Sequence, residues 1–190
     1  LRSRPSEILV IEAGANDILL PAMETRGGPW PAFIAEMESR GSRPAGSDHE
    51  FRDSYESLLR LCDNWGIDGV ITVTIPVLGE NEDSVFDEKR RRLNRIIREV
   101  TADSRAVLAD PAEVFDEFLA ACPDRSDWFF DSPGEFTADL RRIRRDRSSM
   151  PLSEERGLFL TMDGAHLNEK GAELMGRVIS KALKTAWDIR

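Results

Sequence analysis

The stretch TMDGAHLNEKGAELMG, Thr161 to Gly176, places Asp163 three residues ahead of His166. In a turn that spacing brings both side chains to one side. The carboxylate can then accept from one imidazole nitrogen and leave the other free as a base. This is the orienter and base arrangement of a serine hydrolase. Far upstream, EILVIEAGANDILLP sets Asn16 and Asp17 directly after an apolar run. An Asn at the carboxyl end of a buried strand can offer its amide to a developing oxyanion. Each piece has a plainer use as well: Asn-Asp after a strand makes turns and helix caps, and a lone Asp-x-x-His also serves as a cap or surface pair. Together, in this order, they describe one closed site. The only other histidine, His49 in GSDHEF, reads as a cap-region residue. Neither histidine has ligand-like partners at metal spacing, so no cofactor or metal is implied.

Elements able to carry these groups follow along the chain. Ile8 to Ile11 is a short apolar run with three β-branched residues, the pattern of a strand buried on both faces inside a parallel sheet. The Gly- and Pro-rich segment from Ala22 to Ser47 reads as a long loop, a lid or cleft wall carrying Trp30 and Phe33. Ser47 or Asp48 caps a helix with Phe51, Tyr55, Leu58, Leu59 and Cys62 at helical spacing. GVITVTIP is a second strand, stopped by Pro76. A helix spans about Asp87 to Ala102 with KRRR on its solvent side, and Arg105 to Asp110 forms a third strand. From Ala120 to Arg156 the pattern weakens and reads as an insertion. Asn168 then caps a last helix with one broad apolar face. Strands alternating with helices predict a doubly wound α/β domain on a parallel sheet.

The two blocks resemble those of the SGNH or GDSL hydrolases, lipase-like and esterase-like enzymes of flavodoxin-like three-layer α/β/α fold. Their Gly-x-Asn-Asp block is matched by Gly14, Ala15, Asn16 and Asp17, and their Asp-x-x-His block by Asp163, Gly164, Ala165 and His166. The likeness runs from about Ser6 to the end of the chain. It implies that Asn16 is an oxyanion-hole donor, His166 the general base and Asp163 its partner. The substrate it implies is a small-molecule acyl or carbohydrate ester. The chain departs from the pattern in its nucleophile. The Gly-Asp-Ser block and the oxyanion glycine of the next block should precede Asn16, where only fifteen residues stand. Ser3 and Ser6 follow no apolar strand. Ser132, in FFDSPG, echoes the motif without its glycine or its strand. The first strands and the nucleophilic serine are therefore expected upstream of Leu1. The alternative is a catalytically inactive relative that binds a ligand or a partner protein.

Composition narrows the remaining classes. The 190 residues are 41% hydrophobic, with no apolar run of membrane-spanning length, which predicts one globular domain with a sizeable core. A formal charge of −9 speaks against nucleic acid or an anionic membrane surface as the main partner. The basic run from Arg141 to Arg147 reads as a solvated helix face or an ion-pair partner for the many acids. Cys62 and Cys122 form neither a disulfide framework nor a zinc spacing.

Overall fold

The computed structural model describes residues 8–188. Within them the chain forms a three-stranded parallel sheet and eight helices. The strands are β1 (Ile8–Glu12), β2 (Gly69–Val73) and β3 (Val107–Ala109), in spatial order β1-β2-β3. Val10 lies beside Ile71, and Ile71 beside Val107. Three helices connect β1 to β2: α1 (Ala15–Glu24), α2 (Trp30–Ser39) and α3 (Asp48–Asn64). One helix, α4 (Asp87–Ala102), connects β2 to β3. The remaining helices are α5 (Pro111–Ala120), α6 (Pro133–Asp146), α7 (Met150–Arg156) and α8 (Glu169–Asp188).

Successive residues of β2 face opposite sides of the sheet, and both sides are covered. Val70 joins the core beneath α1, α2, α3 and α4, where Thr72 bonds the Thr101 hydroxyl of α4 at 2.7 Å. Ile71 and Val73 meet Ala182 and Ala186 of α8. Ile71, Thr72 and Val73 are all sealed from solvent. Beyond Val73 the chain stays extended, and the buried Asn94 of α4 holds both the N–H and the carbonyl of Ile75, at 2.8 and 2.9 Å. This clamp stands in for the strand neighbour that β2 loses there.

Strand β1 differs from its expectation. Among the described residues it pairs only with β2, so it lies at an edge, with Leu9 36% and Val10 39% exposed and Ile11 alone of the run buried. Ser3 and Ser6 lie outside the described residues.

The expected loop from Ala22 to Ser47 is also largely helical. Gly and Pro were the loop signals, yet Pro31 occupies the first turn of α2, where a helix needs no N–H. Pro21, inside α1, cannot bond the carbonyl of Asp17, and Lys89 Nζ takes that carbonyl instead at 3.1 Å. Ile18, Met23, Trp30 and Ile34 fasten both helices to the core.

The KRRR run is not wholly solvated. Arg90 is 2% exposed, donating to Asp87, to Asp116 and to the Pro76 carbonyl at 2.6–3.0 Å. Charge counting missed it because Asp116, one of its partners, lies on another helix. The expected insertion carries α6 and α7. Asp139 is the one buried residue of α6, whose apolar residues Phe136, Leu140 and Ile143 lie at helical spacing with none of them buried. No described helix is long and apolar enough to cross a membrane.

Candidate active site

The first sequence block leaves the carboxyl end of β1, and the second is tied to the connection that follows the carboxyl end of β2, where the Gly79 N–H donates to the Gly164 carbonyl. β1 ends at Glu12, and Gly14 turns the chain into α1 with φ 116°. A Cβ at Gly14 would meet Ile75 Cδ1 at 2.8 Å and Phe51 Cζ at 3.2 Å, so this bend requires glycine on both backbone and packing grounds. Asn16 then falls in the first turn of α1, exposed, with no side-chain hydrogen bond among the described residues. The plainer use as a cap is not taken: Gly14 holds the cap position without any side-chain bond. Asp17 instead accepts from the Ala45 N–H at 2.7 Å, tying α1 to the segment before α3.

The second block is a tight turn closed by an antiparallel bridge between Thr161 and Leu167. The Met162 N–H donates to the His166 carbonyl at 2.8 Å, and the Asn168 N–H to the Leu160 carbonyl at 3.0 Å. Asp163, wholly buried, accepts at Oδ1 from the N–H groups of Ala165 and His166 at 3.0 and 2.7 Å. Its Oδ2 lies 2.7 Å from Nδ1 of His166. With a carboxylate as acceptor the Nδ1 proton faces Asp163, which leaves Nε2 with its lone pair. The His166 side chain is 46% exposed, and Nε2 has no hydrogen-bond partner among the described residues. The turn thus pairs a buried carboxylate with a solvent-accessible imidazole whose free nitrogen can take a proton.

Gly164 at the tip has φ 85°, and a Cβ there would lie 2.5 Å from Phe129 Cδ2 and 3.0 Å from the Trp128 carbonyl oxygen. The aromatic segment 128–130 therefore seats the turn. Phe130, 7% exposed, belongs to the main core and lies 6.0 Å between centroids from His166, while Phe136 of α6 stacks on the imidazole at 4.5 Å. The same Phe130 meets Trp30 of α2 at 5.7 Å, and the Trp30 indole donates to the Asp131 carbonyl at 2.8 Å. Ala13, Ala15 and Ala165 pack against one core, so the two blocks share a foundation although Asn16 bonds neither Asp163 nor His166.

Sequence reasoning missed several residues here. Arg156 of α7 lies over the Trp128 ring at 3.7 Å, grips Asp139 at 2.8 and 2.9 Å and donates to the Met162 carbonyl at 2.7 Å. Asn168 caps α8 as its sequence position predicts, accepting from Gly171 N–H at 3.0 Å; what was missed is that it also donates toward Ser153 and the carbonyls of Phe159 and Thr161. Phe136 was also missed, although Leu140 and Ile143 follow it at helical spacing. Ser132 is the N-cap of α6, accepting from the Glu135 N–H at 3.2 Å, a structural use of the hydroxyl. Among the described residues two of the five arginines of the basic run are ion-paired, Arg142 with Glu155 and Asp146 and Arg145 with Asp146. His49 stands on the surface of α3, 3.0 Å from Asp53. No three His, Cys, Asp or Glu side chains gather as metal ligands among the described residues. A cavity of about 220 Å³ bordered by Gly69, Arg105 and Ala186 opens at the amino end of β2 and β3, the end opposite His166.

No protein-family model, curated protein or solved structure matches the chain.

Proposed function

We propose that the protein is a serine ester hydrolase of the SGNH type, its parallel sheet belonging to the flavodoxin-like three-layer fold of that family. The observation that carries this reading is the pair of Asp163 and His166, 2.7 Å apart, one buried and the other open at Nε2. The attacking hydroxyl is supplied by a serine outside residues 8–188. His166 Nε2 takes the serine proton as Oγ bonds to the ester carbonyl carbon, and Asp163 holds the imidazole and offsets its charge. The tetrahedral oxyanion receives a hydrogen bond from the Asn16 amide, which has no other described partner to give up. Collapse of the intermediate breaks the bond to the alcohol, which leaves with the proton from Nε2. Water then repeats the sequence on the acyl-serine, with His166 again as base and then acid, releasing the carboxylic acid and the free serine.

The test is ester hydrolysis by the full-length encoded protein, with phosphonate labelling followed by peptide mapping. Turnover of a short aryl ester, with label on a serine outside residues 8–188, is the expected result. No labelling and no turnover in the full-length protein would sink the hydrolase reading and favour a ligand-binding or protein-interaction relative. Stoichiometric label on Ser132 would displace the nucleophile assignment.

A further inference from the structure

The segment entering the catalytic turn is held by a carboxylate from a distant part of the chain. Glu80, in the connection after β2, is 1% exposed. Its Oε2 accepts from the Phe159 N–H at 2.6 Å. Its Oε1 accepts from the N–H groups of Leu160 and Thr161 at 2.9 and 2.7 Å and from the Thr161 hydroxyl at 2.6 Å. Three consecutive backbone donors and one side-chain donor thus converge on one carboxylate. That arrangement suits an acceptor with two oxygens and no hydrogen of its own. The link continues into the turn. The Thr161 hydroxyl, donating to Glu80, accepts from the Gly164 N–H at 3.2 Å, and the Gly79 N–H donates to the Gly164 carbonyl at 2.7 Å. Gly164 is the residue directly after Asp163, so the chain from β2 grips the turn on both sides of the carboxylate that orients His166.

We propose that Glu80 is the positioning residue of the Asp163–His166 pair: its carboxylate fixes Phe159 to Thr161, and through the Thr161 hydroxyl it sets the turn that aims Asp163 at Nδ1. It touches neither substrate nor reacting atoms. The role rests on the hydrolase reading for its catalytic meaning, but the geometry it predicts belongs to the imidazole and is measurable without any substrate. A Gln at position 80 is nearly the same size yet keeps only one acceptor oxygen. Its amide hydrogens would face backbone N–H groups that are themselves donors, and those buried groups would go unsatisfied.

The readout is the tautomer of His166, from nitrogen chemical shifts and the Nδ1 proton resonance of ¹⁵N-histidine-labelled protein. With two histidines in the chain, His166→Ala assigns the signals at once. The unaltered protein is expected to hold His166 as the Nδ1–H form with a protected, downfield proton. Glu80→Gln is expected to lose that proton signal and move both nitrogens toward the averaged shifts of a free imidazole. As a control, Ile97→Ala opens a cavity in the core under α4 and is expected to lower Tm while leaving the His166 signature unchanged. A folded Glu80→Gln with the unaltered signature overturns the proposal. If Glu80→Gln does not fold, Thr161→Val, which removes the hydroxyl relay to Gly164, decides: the same loss of the Nδ1 proton supports the role, and a retained signature refutes it. An unaltered protein lacking the Nδ1–H form removes the pair itself, and both readings fall. Loss of the signature in Glu80→Gln, together with no ester turnover by the full-length protein, leaves the positioning role standing and overturns only the hydrolase.

Discussion

On one side of the sheet's carboxyl end, Asp163 is wholly buried and both its oxygens are occupied, beneath a turn fastened from Arg156, Asn168 and Glu80. On the other side, Asn16 stands exposed in the first turn of α1 with no side-chain hydrogen bond among the described residues, and β1 behind it presents Leu9 and Val10 to solvent. In the acyl transfer we propose, the two sides would have different work. A base must keep one tautomer and one direction through two proton transfers, so its support is rigid and polar. An oxyanion donor needs only a free N–H at the right place, and a helix start beside a glycine bend supplies that with few bonds.

The comparison breaks most visibly in turnover. In the full-length protein, His166→Ala and Asp163→Asn are each expected to lower kcat by roughly 10⁴-fold, the scale on which such triads fail, with KM nearly unchanged. Near-normal kcat in His166→Ala would remove the site. Asn16→Ala is expected to cost about 3 kcal/mol in the chemical step, and because its side chain bonds nothing described, Tm should stay where it was. A large drop in Tm would mean that Asn16 is a structural residue and that the two sides are not so different. Gly164→Ala probes the fastened side by backbone strain: φ 85° and the contact with Phe129 predict a loss of about 1–3 kcal/mol in stability, read by denaturant melts, together with lower kcat.

What could be read from residues alone divides along the same line. The Asp163–His166 spacing announced its own geometry because a turn of three residues leaves little freedom. The covered strand β2 and the helices α3, α4 and α8 were legible from apolar runs and spacing, with Ser47 and Asn168 at their starts. The pairing of β1 was not, since a run of apolar residues records that a strand can be buried but not which neighbours it has. The fastening of the turn was invisible for another reason. Glu80 and Arg156 sit in charged stretches, and their placement depends on partners 79–81 residues away or on another helix. Helices α1 and α2 were hidden by Pro21 and Pro31, whose missing N–H groups are harmless only because of Lys89 in one case and first-turn position in the other.

The smallest expected effect is also the one in which the two sides differ in sign. Glu169, immediately after the turn, loses some solvation. The hydrogen bonds from the hydroxyl and N–H of Ser149, at 2.5 and 2.9 Å, outweigh that loss and hold its pKa at about 2 against an ordinary 4.5. Glu12, at the carboxyl end of β1, has its pKa raised by partial burial of its carboxyl, and no hydrogen bond among the described residues offsets that. A group whose folded pKa is lowered adds stability above its unfolded value and loses it as pH falls from about 4.5 to about 2. A group whose folded pKa is raised acts oppositely, with its penalty growing as pH rises from the ordinary value through the raised one. Glu169→Gln should therefore destabilise at pH 7 by less than about 1 kcal/mol, because solvent screens this exposed carboxylate, and the difference from the unaltered protein should shrink toward pH 2. Glu12→Gln should stabilise at pH 7 and lose that advantage below about pH 4. Urea melts across this range read both: if the two substitutions shift stability in the same direction at pH 7, the contrast between a polar, bonded side and a sparsely bonded one does not extend to their carboxylates.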